Sequence, residues 1–308
     1  MTLAGWGGHY LQIGTLLLPV VACAAVGAWW GVREASYPSA FVARLATRFA
    51  VPALIFHTLA TTSLSGRVLL EVALATAAGL AVAALLAAAL LRLAGLPVAP
   101  LLPTATFPNT GNLGLPLASL AFGEPGLAVA VSFFAICSVL QHTLGLWWLG
   151  RIARGDAPAA PSAATPLVIA AACAAAVLSR GLDVPVPQAV LASASLVGSL
   201  AVPLMLVSLG HALATVSRHS MGSGMVVGAT RLVAGGLAGL AVTRVLELPP
   251  LAAQALQLQL LMPVAVVNYL YAQQFTRHGA LSAGAVLAST LAFLLLSPIL
   301  LAWIGVGS

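Results

Sequence analysis

The run Phe107-Pro108-Asn109-Thr110-Gly111-Asn112-Leu113-Gly114-Leu115-Pro116-Leu117 sets two amides, a hydroxyl and several helix-breaking residues inside a stretch otherwise apolar enough to cross a bilayer. Pro108 lacks a backbone donor and clashes with the preceding turn, while Gly111 and Gly114 relax the chain. Asn109, Thr110 and Asn112 are then natural caps for a half-helix restarting toward Leu115. Such a restart puts unsatisfied N–H groups and the positive end of a helix dipole near mid-membrane, a ready place for a carboxylate. The amides also accept hydrogen bonds, so a neutral polar group or a cation suits the same pocket. A proline kink packed silently against its neighbours is the bland alternative, and it needs neither the two asparagines nor the two glycines. Lipid offers no water to freed backbone groups, so such a break persists only where protein or a polar cavity receives them.

A second break is expected at Pro263, in the run from Gln257 through Gln259, Leu261, Met262 and Pro263 to Asn268, Tyr269 and Tyr271. It frees carbonyls on the Leu260 side and N–H groups around Val264 and Ala265. Asn268 and Tyr269 follow just over one turn later, within reach of a site where the two breaks meet. Tyr271, nearer the helix end, fits an interfacial aromatic belt equally well.

Arg231 falls well inside another apolar span. An intramembrane charge costs roughly 2.5–3.5 kcal/mol on insertion scales and is a functional candidate by default. It either faces a cavity and attracts an anion or neutralises exposed carbonyls at the end of a half-helix. Gln141 and His142, with His57 and His211, complete the polar inventory of the spans. Histidine titrates near neutral pH, which makes each a possible proton relay, although a hydrogen-bonded structural role is commoner.

No Asp or Glu is placed deep in a span: Glu71, Glu124 and Glu247 sit near span ends and Asp156 and Asp183 in loops. That counts against a pump built on a carboxylate pair and against an intramembrane aspartyl protease. No His-Glu-x-x-His helix exists for a metalloprotease either, so the expectation is a non-enzyme without metal or cofactor. Cys23, Cys137 and Cys173 lie within apolar spans without metal-like spacing.

The elements that must hold these residues are membrane helices. The chain is 308 residues long, 61% hydrophobic and 6% charged, against roughly 25% charged residues in an average soluble domain. Stretches of about 20 apolar residues, each long enough for a hydrocarbon core of roughly 30 Å, predict spans at 10–32, 38–62, 68–92, 97–121, 125–149, 165–182, 186–213, 222–244, 249–275 and 279–304. The reading is an all-α membrane protein of ten helices. The formal charge of +6 comes from arginines alone, mostly at span ends. That scattering argues against nucleic acid and for orientation in the cell membrane. With the N-terminus outside, the inner loops hold Arg33, Arg92, Arg151, Arg154, Arg218 and Arg277, and the outer loops only Arg67, Arg180 and Arg244. The positive-inside rule therefore puts both termini outside. The apolar run after Met1 to His9 reads as a first spanning helix rather than a cleaved leader.

Residues 151–165 form the one linker-like stretch and separate a first half, 1–150, from a second, 166–308. Landmarks recur across it. Ala50-Val51-Pro52 answers Ala201-Val202-Pro203 at an offset of 151, and Pro108 answers Pro263 and Trp148 answers Trp303 at an offset of 155. Five helices per half force the second half to enter from the opposite side, so the repeat is inverted. Inverted repeats with interrupted helices at matching positions point to a secondary transporter with its site near the midplane.

Ten helices in two inverted halves, a central inner loop and the Pro-Asn-Thr-Gly-Asn-Leu-Gly-Leu-Pro run of the fourth helix together resemble the auxin efflux carrier family, which includes plant PIN proteins and many bacterial relatives. The resemblance extends over the whole chain. Its wider superfamily includes bile acid:sodium symporters, and its architecture is that of the sodium/proton antiporter fold. It implies a scaffold of helices 1, 2, 6 and 7, a transport domain of helices 3–5 and 8–10, and helices four and nine crossing at Pro108 and Pro263. It further implies carriage of small organic anions by an elevator-like movement, and homodimers formed through the scaffold. Substrate is then expected at Asn109, Thr110, Gly111, Asn112, Val264, Asn268 and Tyr269, with Arg231, Gln141 and His142 as coupling or electrostatic candidates. Two departures matter. The inner loop is short beside the long regulatory loop of many plant members. Leu261-Met262 stands where sodium-coupled relatives carry an acid before the second break, which argues against sodium coupling. A sodium-coupled bile-acid-type symporter and a ligand sensor that moves nothing are the competing readings.

Overall fold

The computed structural model describes residues 3–33, 38–153, 164–182, 184–215 and 221–305. Most of the linker at 151–165, with Arg154 and Asp156, lies outside them, as do Asp183 and Arg218. Every regular element is helical. In order they are α1 (Leu3–Arg33), α2 (Ser39–Leu45), α3 (Val51–Thr61), α4 (Gly66–Leu93), α5 (Val98–Thr106), α6 (Leu115–Leu140) and α7 (Leu146–Ile152). After the linker come α8 (Ala164–Gly181), α9 (Gln188–Gly198), α10 (Ala201–Thr215), α11 (Met221–Val245), α12 (Pro250–Leu261), α13 (Val266–Phe275) and α14 (Gly279–Ile304). Three π-helical turns, Ala46–Ala50, Thr110–Gly114 and Gln141–Gly145, join α2 to α3, lead into α6 and join α6 to α7.

Among the described residues, five helical stretches are long and apolar enough to cross a membrane: Gly66–Leu93, Thr110–Ile152, Gln188–Thr215, Gly224–Val245 and Gly279–Ile304. The protein is thus an all-α, multi-pass membrane protein. Its outward face agrees, since Leu85, Leu93, Leu196 and Leu295 are each more than 70% exposed, as side chains that face hydrocarbon can be. The 43 residues of Thr110–Ile152 would be about 65 Å long as one straight helix, twice a bilayer core. The chain breaks at Gly123, whose φ of 64° and ψ of −159° only glycine adopts without strain. Pro125 follows, two residues on. The Trp148 indole then donates to the Ala99 carbonyl at 2.8 Å, so the chain has returned to the end at which α5 began.

The helices pack in two groups. In one, α1 lies along α10, and α3 packs on α8 and α9. Backbones meet closely there: a Cβ at Gly27 would overlap the Val207 carbonyl and one at Gly210 the Ala24 carbonyl. In the other group α11 packs on α14, α4 and α12, α12 packs on α6, and α13 packs on α14 and α5. The groups meet where α3, α8 and α10 face α6 and the turn preceding it. A buried apolar cluster spans this junction, with Val51, Ile55, Leu113, Leu117, Met205, Leu206 and Leu258 among its members.

Candidate functional site: the crossing of two broken helices

Both expected breaks are present. The first ends α5 at Thr106 and resumes at Thr110; the second ends α12 at Leu261 and resumes at Val266. The two unwound segments run antiparallel and pair at Pro108 and Val264. The Asn109 N–H donates to the Pro263 carbonyl at 2.8 Å, and the Ala265 N–H donates to the Phe107 carbonyl at 3.3 Å. Each break therefore supplies acceptors for the donors that the other has freed, which is how irregular backbone persists at membrane depth.

Side chains complete the accounting. The Asn268 amide donates to the Phe107 carbonyl at 3.0 Å and accepts from the Gln141 amide at 2.7 Å. The Val264 N–H reaches the Ser289 hydroxyl at 3.1 Å. Gln259 donates to the Gly114 carbonyl at 2.9 Å.

The helix termini sort by charge. The C-terminal ends of α5 and α12 converge on Arg231, a fully buried side chain of α11. Its guanidinium donates to the Thr106, Leu260 and Met262 carbonyls. A cation there opposes the negative ends of two dipoles and fills acceptors that helix ends leave open. Of the two roles expected for Arg231, the geometry displays the carbonyl-neutralising one. The restarting ends, Thr110–Asn112 and Ala265–Val267, instead share the wall of a cavity of about 150 Å³. The cavity lies at the junction of the two helical groups, with Thr47 and Val51 before and in α3, Ile169 of α8 and Met205 of α10 across from the breaks.

Its polar lining comes from Thr47, Asn109, Thr110, Asn112, Ser138, Gln141 and His142. Asn109 is 3% exposed, and its amide nitrogen has no hydrogen-bond partner. A buried, unsatisfied donor is costly and calls for a ligand or water to receive it. First-turn N–H groups at Gly111, Asn112, Val266 and Val267 lack intrahelical acceptors by the geometry of a helix start. The arrangement therefore presents donors and the positive ends of two dipoles to one small space, chemistry that suits an anionic or strongly accepting group.

Several expected positions lie elsewhere. Val264 is fully buried in the crossing with its N–H held by Ser289, and Asn268, 2% exposed, braces the crossing rather than lining the cavity. Tyr269 packs with the apolar cluster around Leu213, Ala283 and Leu287. All three were expected to contact substrate, and none lines the cavity. The capping expectation also changes. Asn109 sits at the cap position without a side-chain cap bond, at φ −79° and ψ 60°. The Thr110 N–H donates to the Pro108 carbonyl at 2.9 Å, an inverse γ-turn that leaves the Asn109 amide free. Residues missed from the sequence include Thr47, Val51, Phe134, Ile169 and Met205, apolar or small side chains with no local signal. Ser289 and Gln259 did carry one, as polar residues inside otherwise apolar helices.

A search of the curated proteins matches none of them to this chain. Residues 13–165 and 161–301 match the membrane transport protein family, which accounts for nearly the whole chain. The protein belongs to the membrane transport protein family.

Proposed function

We propose that this protein is a secondary or potential-driven carrier of small organic anions, carboxylates above all, of the kind its resemblance to auxin efflux carriers implies. The supporting observation is the position of the cavity. Two positive helix ends face it at the junction between the two groups of helices, and Asn109, whose buried amide nitrogen has no partner, is one of its lining residues. In this reading α1, α2–α3, α8 and α9–α10 form a scaffold, dimeric in the membrane through its lipid-facing side, and α4–α7 with α11–α14 form the moving transport domain. The reading has ten passes in two inverted halves, 1–150 and 166–308, and the similar order of elements on either side of the linker supports it. Sliding the crossing past Thr47, Val51 and Met205 exposes the anion to alternate sides in an elevator-like movement, with no catalytic step.

The orientation proposed is both termini outside the cell membrane. Ala99, Ile152 and Arg277 line one surface pocket, so the arginine-bearing ends of α7 and the α13–α14 connection lie together, as the positive-inside rule asks of an inner face. No Asp or Glu lines the crossing cavity among the described residues, which favours an anion carrier over a sodium-coupled symporter.

The test is uptake by purified protein in proteoliposomes across a panel of carboxylates, with an Asn112→Ala variant. Saturable uptake that N112A weakens at least tenfold, without loss of folded protein, is expected. Saturable binding without flux under any gradient would instead make the protein a ligand sensor.

A further inference from the structure

The cavity that receives the anion has no fixed counter-charge. Arg231 points to carbonyls on the far side of the crossing, and among the described residues no arginine, aspartate or glutamate is in the lining. Partial charges at two helix ends ease the entry of a carboxylate but do not neutralise it, and an unpaired buried charge is expensive. One lining side chain, His142, can supply a full positive charge on demand.

The geometry prepares it for that role. His142 lies in the π-helical turn Gln141–Gly145, a feature often found at functional sites. Its Nδ1 lies 2.7 Å from the Ser138 carbonyl. A carbonyl only accepts, so Nδ1 holds the hydrogen and Nε2 keeps the lone pair. Nε2 makes no hydrogen bond among the described residues. Tyr271 of α13 meets the ring edge-on, centroids 5.9 Å apart at 88°. The other ionisable groups on surrounding elements stay out of the cavity lining. Arg44 and Arg48 are exposed, Arg180 donates to the Leu59 and Leu64 carbonyls, and His211 packs on Gly31. His57, Cys137, Cys173 and Tyr269 are likewise not among the lining residues.

Resting on the anion-carrier reading, we infer that His142 is the proton site of this transporter and that one proton crosses with each carboxylate. A proton from the first aqueous side binds Nε2, and the imidazolium N–H donates to the carboxylate, so the occupied cavity is neutral for a monoanion. On the second side the carboxylate leaves, Nε2 releases its proton to water, and the empty carrier returns with neutral imidazole. Both states that move through the membrane then carry no net charge at the site.

The experiment measures binding of a panel of carboxylates that stay ionised throughout, from pyruvate to benzoate, by thermal stabilisation of the purified protein between about pH 5.5 and 8, the range in which histidine commonly titrates. In the wild type, affinity should rise as pH falls, approaching tenfold per pH unit, the slope of one linked proton. In H142Q the affinity should be weak and flat with pH. Proteoliposomes loaded with pyranine give a readout that needs no variant: anion uptake should acidify the lumen by one proton per monoanion. Anion binding that is independent of pH, a pH slope that survives in H142Q, or uptake without proton movement overturns the role of His142 and leaves the anion site standing. Absence of carboxylate binding at every pH removes the anion-carrier reading and this inference with it.

Discussion

The backbone N–H of Asn109 donates to the carbonyl of Pro263 at 2.8 Å, joining residues from opposite halves of the chain. The Ala265 N–H answers with a bond to the Phe107 carbonyl at 3.3 Å, so neither break can rewind without stranding the donors of the other. The crossing behaves as one piece, and a carrier built around it must move that piece whole. Rigid displacement past a scaffold meets this condition; local unwinding during transport does not.

Asn268 should matter for the integrity of the crossing rather than for ligand contact. Its amide bonds both the Phe107 carbonyl and the Gln141 amide; truncation leaves the Gln141 amide buried and unpaired, at roughly 1–3 kcal/mol, and removes one of the two donors to the Phe107 carbonyl, which keeps the Ala265 N–H. Asn268→Ala is expected to lower the thermal midpoint and raise amide exchange around Phe107 to Thr110, while anion affinity of the folded fraction changes little. An unchanged midpoint would show that the brace is dispensable.

Arg231 gives the opposite test of an obvious guess. If it were the anion's partner, replacement would abolish binding while the protein stayed folded. Its contacts with Thr106, Leu260 and Met262 predict instead that Arg231→Met strands three carbonyls at two helix ends, at roughly 1–3 kcal/mol each. Arg231→Lys, keeping the charge but losing the planar fork, should recover part of that loss. Fluorescence-detected size exclusion after heating reads the order: wild type above R231K above R231M.

What could be read in the sequence follows from which signals lipid makes costly. Pro108, Pro263, Arg231 and the amides near them are anomalies in an apolar chain, and each marks the crossing. Which way a side chain points was not legible. Asn109 and Asn268 look alike as buried amides, yet one lines the cavity and the other braces backbone, because the inverse γ-turn at Asn109 turns its amide free while Asn268 lies over Phe107. The wall opposite the breaks is illegible for a simpler reason: Val51, Ile169 and Met205 are ordinary apolar residues, and only packing brings them there.

Gly114 and Gln259 form a steric pair across the halves. A Cβ on Gly114 would overlap the Gln259 side-chain oxygen, and the Gln259 amide holds the Gly114 carbonyl at 2.9 Å. Gly114→Ala alone should destabilise by displacing Gln259 from its buried site, and Gln259→Ala alone by leaving that carbonyl bare. The double variant should cost less than the sum, since the methyl then enters space the glutamine has vacated. A double-mutant cycle with an interaction term of about 0.5–3 kcal/mol is the expected size for side chains in contact. Additive losses would mean that the two residues do not share this space.

Met205 offers a way to close the cavity from the side of α10. It lines the cavity from α10, and its methyl group would lie 3.5 Å from a Cβ on Gly111, so it faces the restarting helix directly. It makes none of the hydrogen bonds that hold the crossing. Met205→Trp places a larger ring into about 150 Å³ of space, enough to exclude a carboxylate from the Asn109 amide without disturbing the Asn109–Pro263 bond. The expected result is loss of saturable uptake and of anion-dependent stabilisation in the fraction that stays folded, with a lowered thermal midpoint because Met205 also belongs to the buried apolar cluster at the junction. Met205→Ala should do the reverse, admitting bulkier acids while weakening small ones. If M205W transported normally, the substrate path would not pass between α10 and the crossing, and the cavity would have to be a packing void.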